Sequence, residues 1–137
     1  ISPMISTDII VGFPRETKKQ FENTARLLRE MKFDMAYIAQ YSPRPETVAS
    51  KLKDNVSKNE KVRRENVLNE ILKKTAFSNN KKYVDKIVEI LVDDDSIGHT
   101  RTQKKILFHS NKKILIGSFV KVLVTKAKAF GLEGKII

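Results

Sequence analysis

The sequence predicts an α/β part followed by an all-β part, joined by one long basic helix. Three observations carry this reading. Residues 4–11 and 35–39 are nearly continuous apolar runs, and an amphipathic stripe lies between them. A second helical stripe spans residues 59–82. Beyond it, the apolar residues fall into five short segments separated by turn signals.

The first run, 4–11, is rich in β-branched residues and ends at Gly12 and Pro14, a strand signal followed by a breaker. Thr17-Lys18-Lys19-Gln20 fits a capping box, in which the Thr hydroxyl accepts the N3 amide and Gln20 reaches back. Phe21, Ala25, Leu28 and Met31 then form a helical stripe to about residue 32. Asp34 starts a turn before the second strand at 35–39. Strands this uniformly apolar are expected to be buried on both faces of a parallel sheet. Two parallel strands and one helix cannot cover both faces, and they leave two open edges. Residues 1–50 are therefore not expected to be self-sufficient.

Tyr41-Ser42-Pro43-Arg44-Pro45 is a loop, because two prolines forbid regular pairing. Residues 51–58 are polar and linker-like. The helix at 59–82 carries Val67, Leu68, Ile71, Leu72, Thr75 and Ala76 on one face. Arg63, Lys74 and Lys81 fall on another face, and Asn79-Asn80 is expected to fray the end. The strands that follow are expected at 87–92, 98–101, 105–108, 119–128 and 132–137, with an acidic turn at 93–96. Five short strands in this length suggest a small antiparallel barrel or sandwich.

The net charge of +11 is uneven. Residues 1–48 hold 7 basic and 6 acidic groups, residues 49–82 hold 10 and 4, and residues 83–137 hold 10 and 6. The excess sits in the last two thirds, where it attracts polyanions, nucleic acid first among them. The chain has no cysteine, which excludes disulfides and thiolate metal sites and fits a cytoplasmic protein. No window is long and apolar enough to span a membrane, and no signal-peptide pattern is present. His99 and His109 have no carboxylate or thiolate at metal spacing, and the run Asp93-Asp94-Asp95 lacks the spaced oxygens of a calcium loop. Both read as surface features.

Thr7-Asp8-Ile9-Ile10-Val11-Gly12-Phe13-Pro14, followed by Glu16-Thr17, resembles the fifth-strand region of the radical S-adenosylmethionine (SAM) barrel in the methylthiotransferase family. Phe33-Asp34-Met35-Ala36-Tyr37 and Tyr41-Ser42-Pro43-Arg44-Pro45 resemble that family's next strand and loop. Gly98-His99-Thr100-Arg101-Thr102-Gln103 is similar to the Gly-Arg-Thr-Arg-Thr-Asn stretch of its C-terminal TRAM domain, an RNA-binding β-barrel. The motifs follow the family's order along essentially the whole chain. The Ser-Pro-Arg-Pro loop resembles tRNA-modifying members more than those that modify a ribosomal protein.

The resemblance implies a division into residues 1–76, the C-terminal βαβ portion of a partial (βα) barrel with its connecting helix, and residues 77–137, a TRAM-like barrel. It implies a reaction that adds a methylthio group to C2 of an N6-modified adenosine near the anticodon of tRNA. Its cofactors would be SAM and two [4Fe–4S] clusters, one of them in a Cys-x3-Cys-x2-Cys loop. Such clusters need thiolate ligands, and this chain has none. Catalysis by this polypeptide alone is therefore not expected. The cluster domains would lie before Ile1 on the same polypeptide, with tRNA as the other partner. A stand-alone RNA-binding module without catalysis is the alternative.

The resemblance places Ile10, Gly12 and Phe13 near the SAM adenine, with Ala39 and Gln40 as weaker candidates. RNA contacts are expected from Arg101, Thr102, Gln103, Lys104 and Lys105, and from Arg63 and Lys74 on the helix. These side chains pair with phosphate or bond base edges. Phe130 is a candidate for stacking on a base, whereas Phe108 reads as core. Arg15 and Glu46 stand where the family usually has glycine, and Val48 where it has proline. If residue 15 needs a positive φ, arginine costs about 1 kcal/mol or more.

Overall fold

The computed structural model describes residues 3–137. The chain divides into two compact units, Ser6–Leu72 and one built on Lys73–Ile137.

In the first unit, β1 (Ser6–Val11) and β2 (Met35–Gln40) pair in parallel around α1 (Lys18–Met31). The α1 capping box is present: Thr17 Oγ1 accepts from the Gln20 amide at 3.2 Å, and Gln20 Oε1 accepts from the Thr17 amide at 2.8 Å. The helix stops at Lys32, which is left-handed at φ +50°. A 3-10 turn (Ala49–Lys51) precedes α2 (Lys58–Lys81), whose Leu68 and Leu72 pack with Val11, Phe21, Ala25, Leu28 and Ala36. Two-residue alternation governs β1, with Ile9 and Val11 turned to the helices and Ser6, Asp8 and Ile10 exposed. The expectation that both strands are buried on both faces is therefore corrected. Ile10 is 59% exposed and Tyr37 64%, because the helices cover only one face of this two-stranded sheet. Met31, expected in the buried stripe, is also exposed at the helix end.

In the second unit, five strands close a barrel in the order β3-β4-β5-β7-β6. They are β3 (Ile87–Asp94), β4 (Ile97–Thr100), β5 (Lys105–His109), β6 (Phe119–Lys128) and β7 (Gly131–Ile136). Inward residues Val88, Ile90, Val92, Ile106, Phe108, Val122, Val124 and Leu132 form one apolar core. The expected all-antiparallel arrangement is corrected at one seam, where β5 and β7 run parallel. The reason is topological. An odd number of strands cannot alternate direction around a closed ring, so one neighbouring pair must be parallel. The frayed helix end is also corrected. Asn80 is buried, and its Nδ2 donates to the carbonyls of Lys128 at 2.9 Å and Ala129 at 3.0 Å.

Candidate nucleic-acid interface and strand-end loop

The segment 101–105 joins β4 to β5, and Thr100 closes it. The Thr100 and Gln103 amides donate to the Lys104 and Thr100 carbonyls at 3.0 and 2.8 Å, and Thr100 Oγ1 accepts from the Lys104 amide at 3.0 Å. Gln103 takes the left-handed region at φ +64°, which lets a short turn close. The five candidate residues then divide. Arg101, Gln103 and Lys105 are exposed, and Thr102 is half-buried with its hydroxyl 3.2 Å from Thr100 Oγ1. Lys104 points inward: its Nζ donates to Asn80 Oδ1 at 2.8 Å and lies 5.6 Å from the Tyr83 ring centroid. Of the five candidates it alone is buried, with its ammonium on a partner from α2.

The registers on the outer face assemble a row the sequence did not suggest. Phe119 of β6 lies opposite Leu91 of β3, Leu91 opposite His99 of β4, and His99 opposite Lys105 of β5. A bulge at Asp93 interrupts the β3–β4 ladder, and the Asp93 carboxylate meets His99 Nδ1. Gly98 allows the approach of the two strands, since a Cβ there would lie 2.5 Å from the Leu91 carbonyl oxygen. Phe119, Leu91, Asp93, His99, Arg101 and Gln103 line a groove of about 760 Å³. Phe119 is 68% exposed and was missed by sequence reading. The available signal was a large apolar residue in the outward phase, Leu91 in β3 and Phe119 in β6, among charged neighbours such as Glu89 and Lys121. Phe108 is core, and Phe130 is exposed at the β6–β7 turn.

On α2, Arg63 is committed to Glu60 through two hydrogen bonds of 2.7 Å, whereas Lys74 is exposed. Hydrogen bonds from Arg63 and then Arg64 hold the Glu60 carboxyl down at about 2.

The three strand-end candidates differ from one another. Ile10 and Phe13 are exposed, and Phe13 meets the Tyr41 ring edge-on at 5.1 Å between centroids. Gly12 is buried at φ +68°, and a Cβ there would lie 2.3 Å from Lys61 Cγ. Its glycine requirement is thus met by this chain's own packing. The Gly12 amide donates to Glu16 Oε2 at 2.6 Å, and the buried Arg64 donates to that same oxygen at 2.6 Å. Lys61, also buried, pairs with Asp54 at 2.6 Å and lowers that carboxyl. For Arg64, burial alone would lower the guanidinium, and the hydrogen bonds to Glu60 and Glu16 outweigh it, so the net direction is up. Arg15 sits at φ +71° and Glu46 at φ +66°, both in the region that favours glycine. No cluster of His, Asp or Glu among the described residues is placed to hold a metal ion. No described helix is long and apolar enough to cross a membrane.

The TRAM domain family model matches residues 81–137. The tRNA-2-methylthio-N(6)-dimethylallyladenosine synthase of Bacillus cytotoxicus is 45% identical over 141 aligned residues. Those of Bacillus cereus and Bacillus thuringiensis are 46% identical over the same length. Each alignment takes in 98% of this chain and 28% of the relative, so the chain spans somewhat more than a quarter of the proteins it matches. With a TRAM domain at residues 81–137 and this identity along nearly its whole length, the chain is recognised as matching the C-terminal part of methylthiotransferase-family proteins, similar to the tRNA-2-methylthio-N(6)-dimethylallyladenosine synthases.

Proposed function

We propose that this chain serves as the C-terminal part of a tRNA methylthiotransferase acting on C2 of an N6-modified adenosine near the anticodon. Its share of the work is to grip tRNA through residues 77–137 and to close one side of a SAM pocket through residues 1–76. The observation that carries the RNA-binding share is the turn after β4, where Thr100 presents Arg101 and Gln103 to solvent from a TRAM domain. Lys105 and Lys74 add exposed cations. Arg63 is a weaker contributor because Glu60 already neutralises it.

The strand-end residues fit the edge of an adenine in part. Ile10 and Phe13 offer exposed apolar surface. Gly12 has its amide on Glu16 and its Cβ position filled by Lys61, so it shapes the loop rather than touching a ligand through those groups. Bound there, SAM would supply the radical chemistry that the relatives' family uses. The clusters have no ligands in this chain, since it lacks cysteine. Their ligands would have to come from cysteines outside these 137 residues.

The test is the affinity of the 137-residue chain for tRNA as salt is varied. Phosphate pairing releases counterions, so log affinity is expected to fall linearly with log salt. A flat plot, or no binding at low salt, removes the RNA-gripping role. A Cys-x3-Cys-x2-Cys loop in the reading frame upstream of Ile1 is expected on the enzyme reading, and its absence would leave the stand-alone RNA-binding module.

A further inference from the structure

We propose that the groove beside β3 and β4 seats one unpaired nucleotide of an RNA strand, with its base stacked on Phe119 and its phosphate on Arg101. This rests on the reading that the barrel binds RNA, and it names the place and the class of nucleotide. Three features of the groove converge on it.

The first is an aromatic ring on the outside of a barrel. Phe119 is 68% exposed and Leu91 37%, in a row whose far member is Lys105. Neither residue is needed for the core, which the inward phase fills. An exposed ring beside a flat aliphatic neighbour is a stacking platform for a base, whatever its identity. The second is an uncommitted cation at stacking distance from no other protein group. The Arg101 and Gln103 side chains have no partner among the described residues, and the Thr100 hydrogen bonds fix the turn that bears them. A guanidinium suits a phosphate, and an amide side chain suits a base edge. The third is Asp93, which the bulge and His99 together orient into the same groove. A carboxylate held there accepts from an exocyclic amino group, as carboxylates do with cytosine.

The volume of about 760 Å³ falls within the range of about 300–1,000 Å³ that holds small organic ligands. A duplex cannot use such a site, because its base faces are covered by their neighbours. Single strands and loops can, because their bases splay out. An acidic or apolar peptide is the competing occupant. It is disfavoured because the carboxylates of Asp93 and Glu89 repel an acidic segment, while Arg101, the Gln103 amide and the exposed Phe119 ring offer the polar partners and the flat face that a nucleotide uses.

The experiment uses the full chain with a fluorescein-labelled single-stranded RNA, and the same strand annealed to its complement, each titrated across a salt series. Phe119→Ala is expected to weaken single-strand binding roughly 5- to 150-fold with the salt slope unchanged, and to leave duplex binding as it was. Phe119→Tyr restores the affinity. Arg101→Ala reduces the salt slope by about 0.7–1. Wild-type affinity in Phe119→Ala, or an equal loss for single strand and duplex, overturns the assignment. If the unaltered chain binds RNA with a steep salt slope and Phe119→Ala changes nothing, only the groove is lost. If the unaltered chain binds neither RNA, the RNA-binding reading falls with it.

Discussion

The barrel and the βαβ part bury their backbone in opposite ways. Closure gives every barrel strand two hydrogen-bonded neighbours, around a core cluster that is entirely apolar. The two-stranded sheet has two unpaired edges and one open face bearing Ile10 and Tyr37. Its loops are fastened by charge instead: Arg64 on Glu16, and Lys61 on Asp54. The barrel strands are thus fully paired among themselves, whereas the βαβ part adds to its apolar core two buried cations whose loss of a carboxylate partner is costly.

Four perturbations test this contrast, ordered by expected effect. Phe108→Ala empties the centre of the apolar core and should cost about 3–5 kcal/mol, read as faster hydrogen exchange at barrel amides. An unchanged exchange pattern would mean the barrel does not depend on that core. Gly12→Ala combines a left-handed φ with a collision against a lysine pinned by Asp54. A loss of about 2–3 kcal/mol is expected by denaturant unfolding, and Lys61→Ala in the same chain should recover part of it.

The third perturbation is acid. The folded Glu60 carboxyl titrates at about 2, against 4.5 when free. A depressed value means the contribution is complete above about pH 4.5 and is lost as pH falls toward 2. Glu60→Gln should therefore be less stable than the parent at neutral pH, with the gap closing over that window. A gap that persists below pH 2 would place the stabilisation elsewhere. The smallest effect is expected from Arg15→Gly, which relieves a left-handed φ and keeps the amide bond to Asn55 at 2.8 Å. Part of the gain is offset by a more flexible unfolded chain, leaving about 0.5 kcal/mol of stabilisation by thermal denaturation.

Local signals made most elements legible. The capping box at Thr17 and Gln20 set the start of α1, and the stripe from Val67 to Ala76 set α2 to within a residue at each end. The five barrel strands were also readable from their apolar runs and turn residues. What escaped was set by pairings distant in sequence. The parallel β5–β7 seam follows from ring closure, which no single segment encodes. No local pattern marks Lys61, Arg64 or Lys104 as buried, yet their partners Asp54, Glu16 and Asn80 hold them inside. The same blindness hid Phe119, whose groove is completed by residues of β3, β4 and the turn after β4. Conversely, the suspicion about residues 15 and 46 was well placed, because both positions do take positive φ. How the candidate residues divide between exposed and buried was visible only after the turn was seen to close on Thr100.

The parallel seam also orders events in time. β7 is the last of the five barrel strands in sequence order, and it lies between β5 and β6. During synthesis, both of those strands are therefore complete before the element that joins them has left the ribosome. Until Gly131–Ile136 emerges, the nascent barrel presents two bare edges, the form most prone to wrong pairing. Loss of this one strand would leave β5 and β6 without the neighbour that joins them, and the barrel permanently in its most adhesive state.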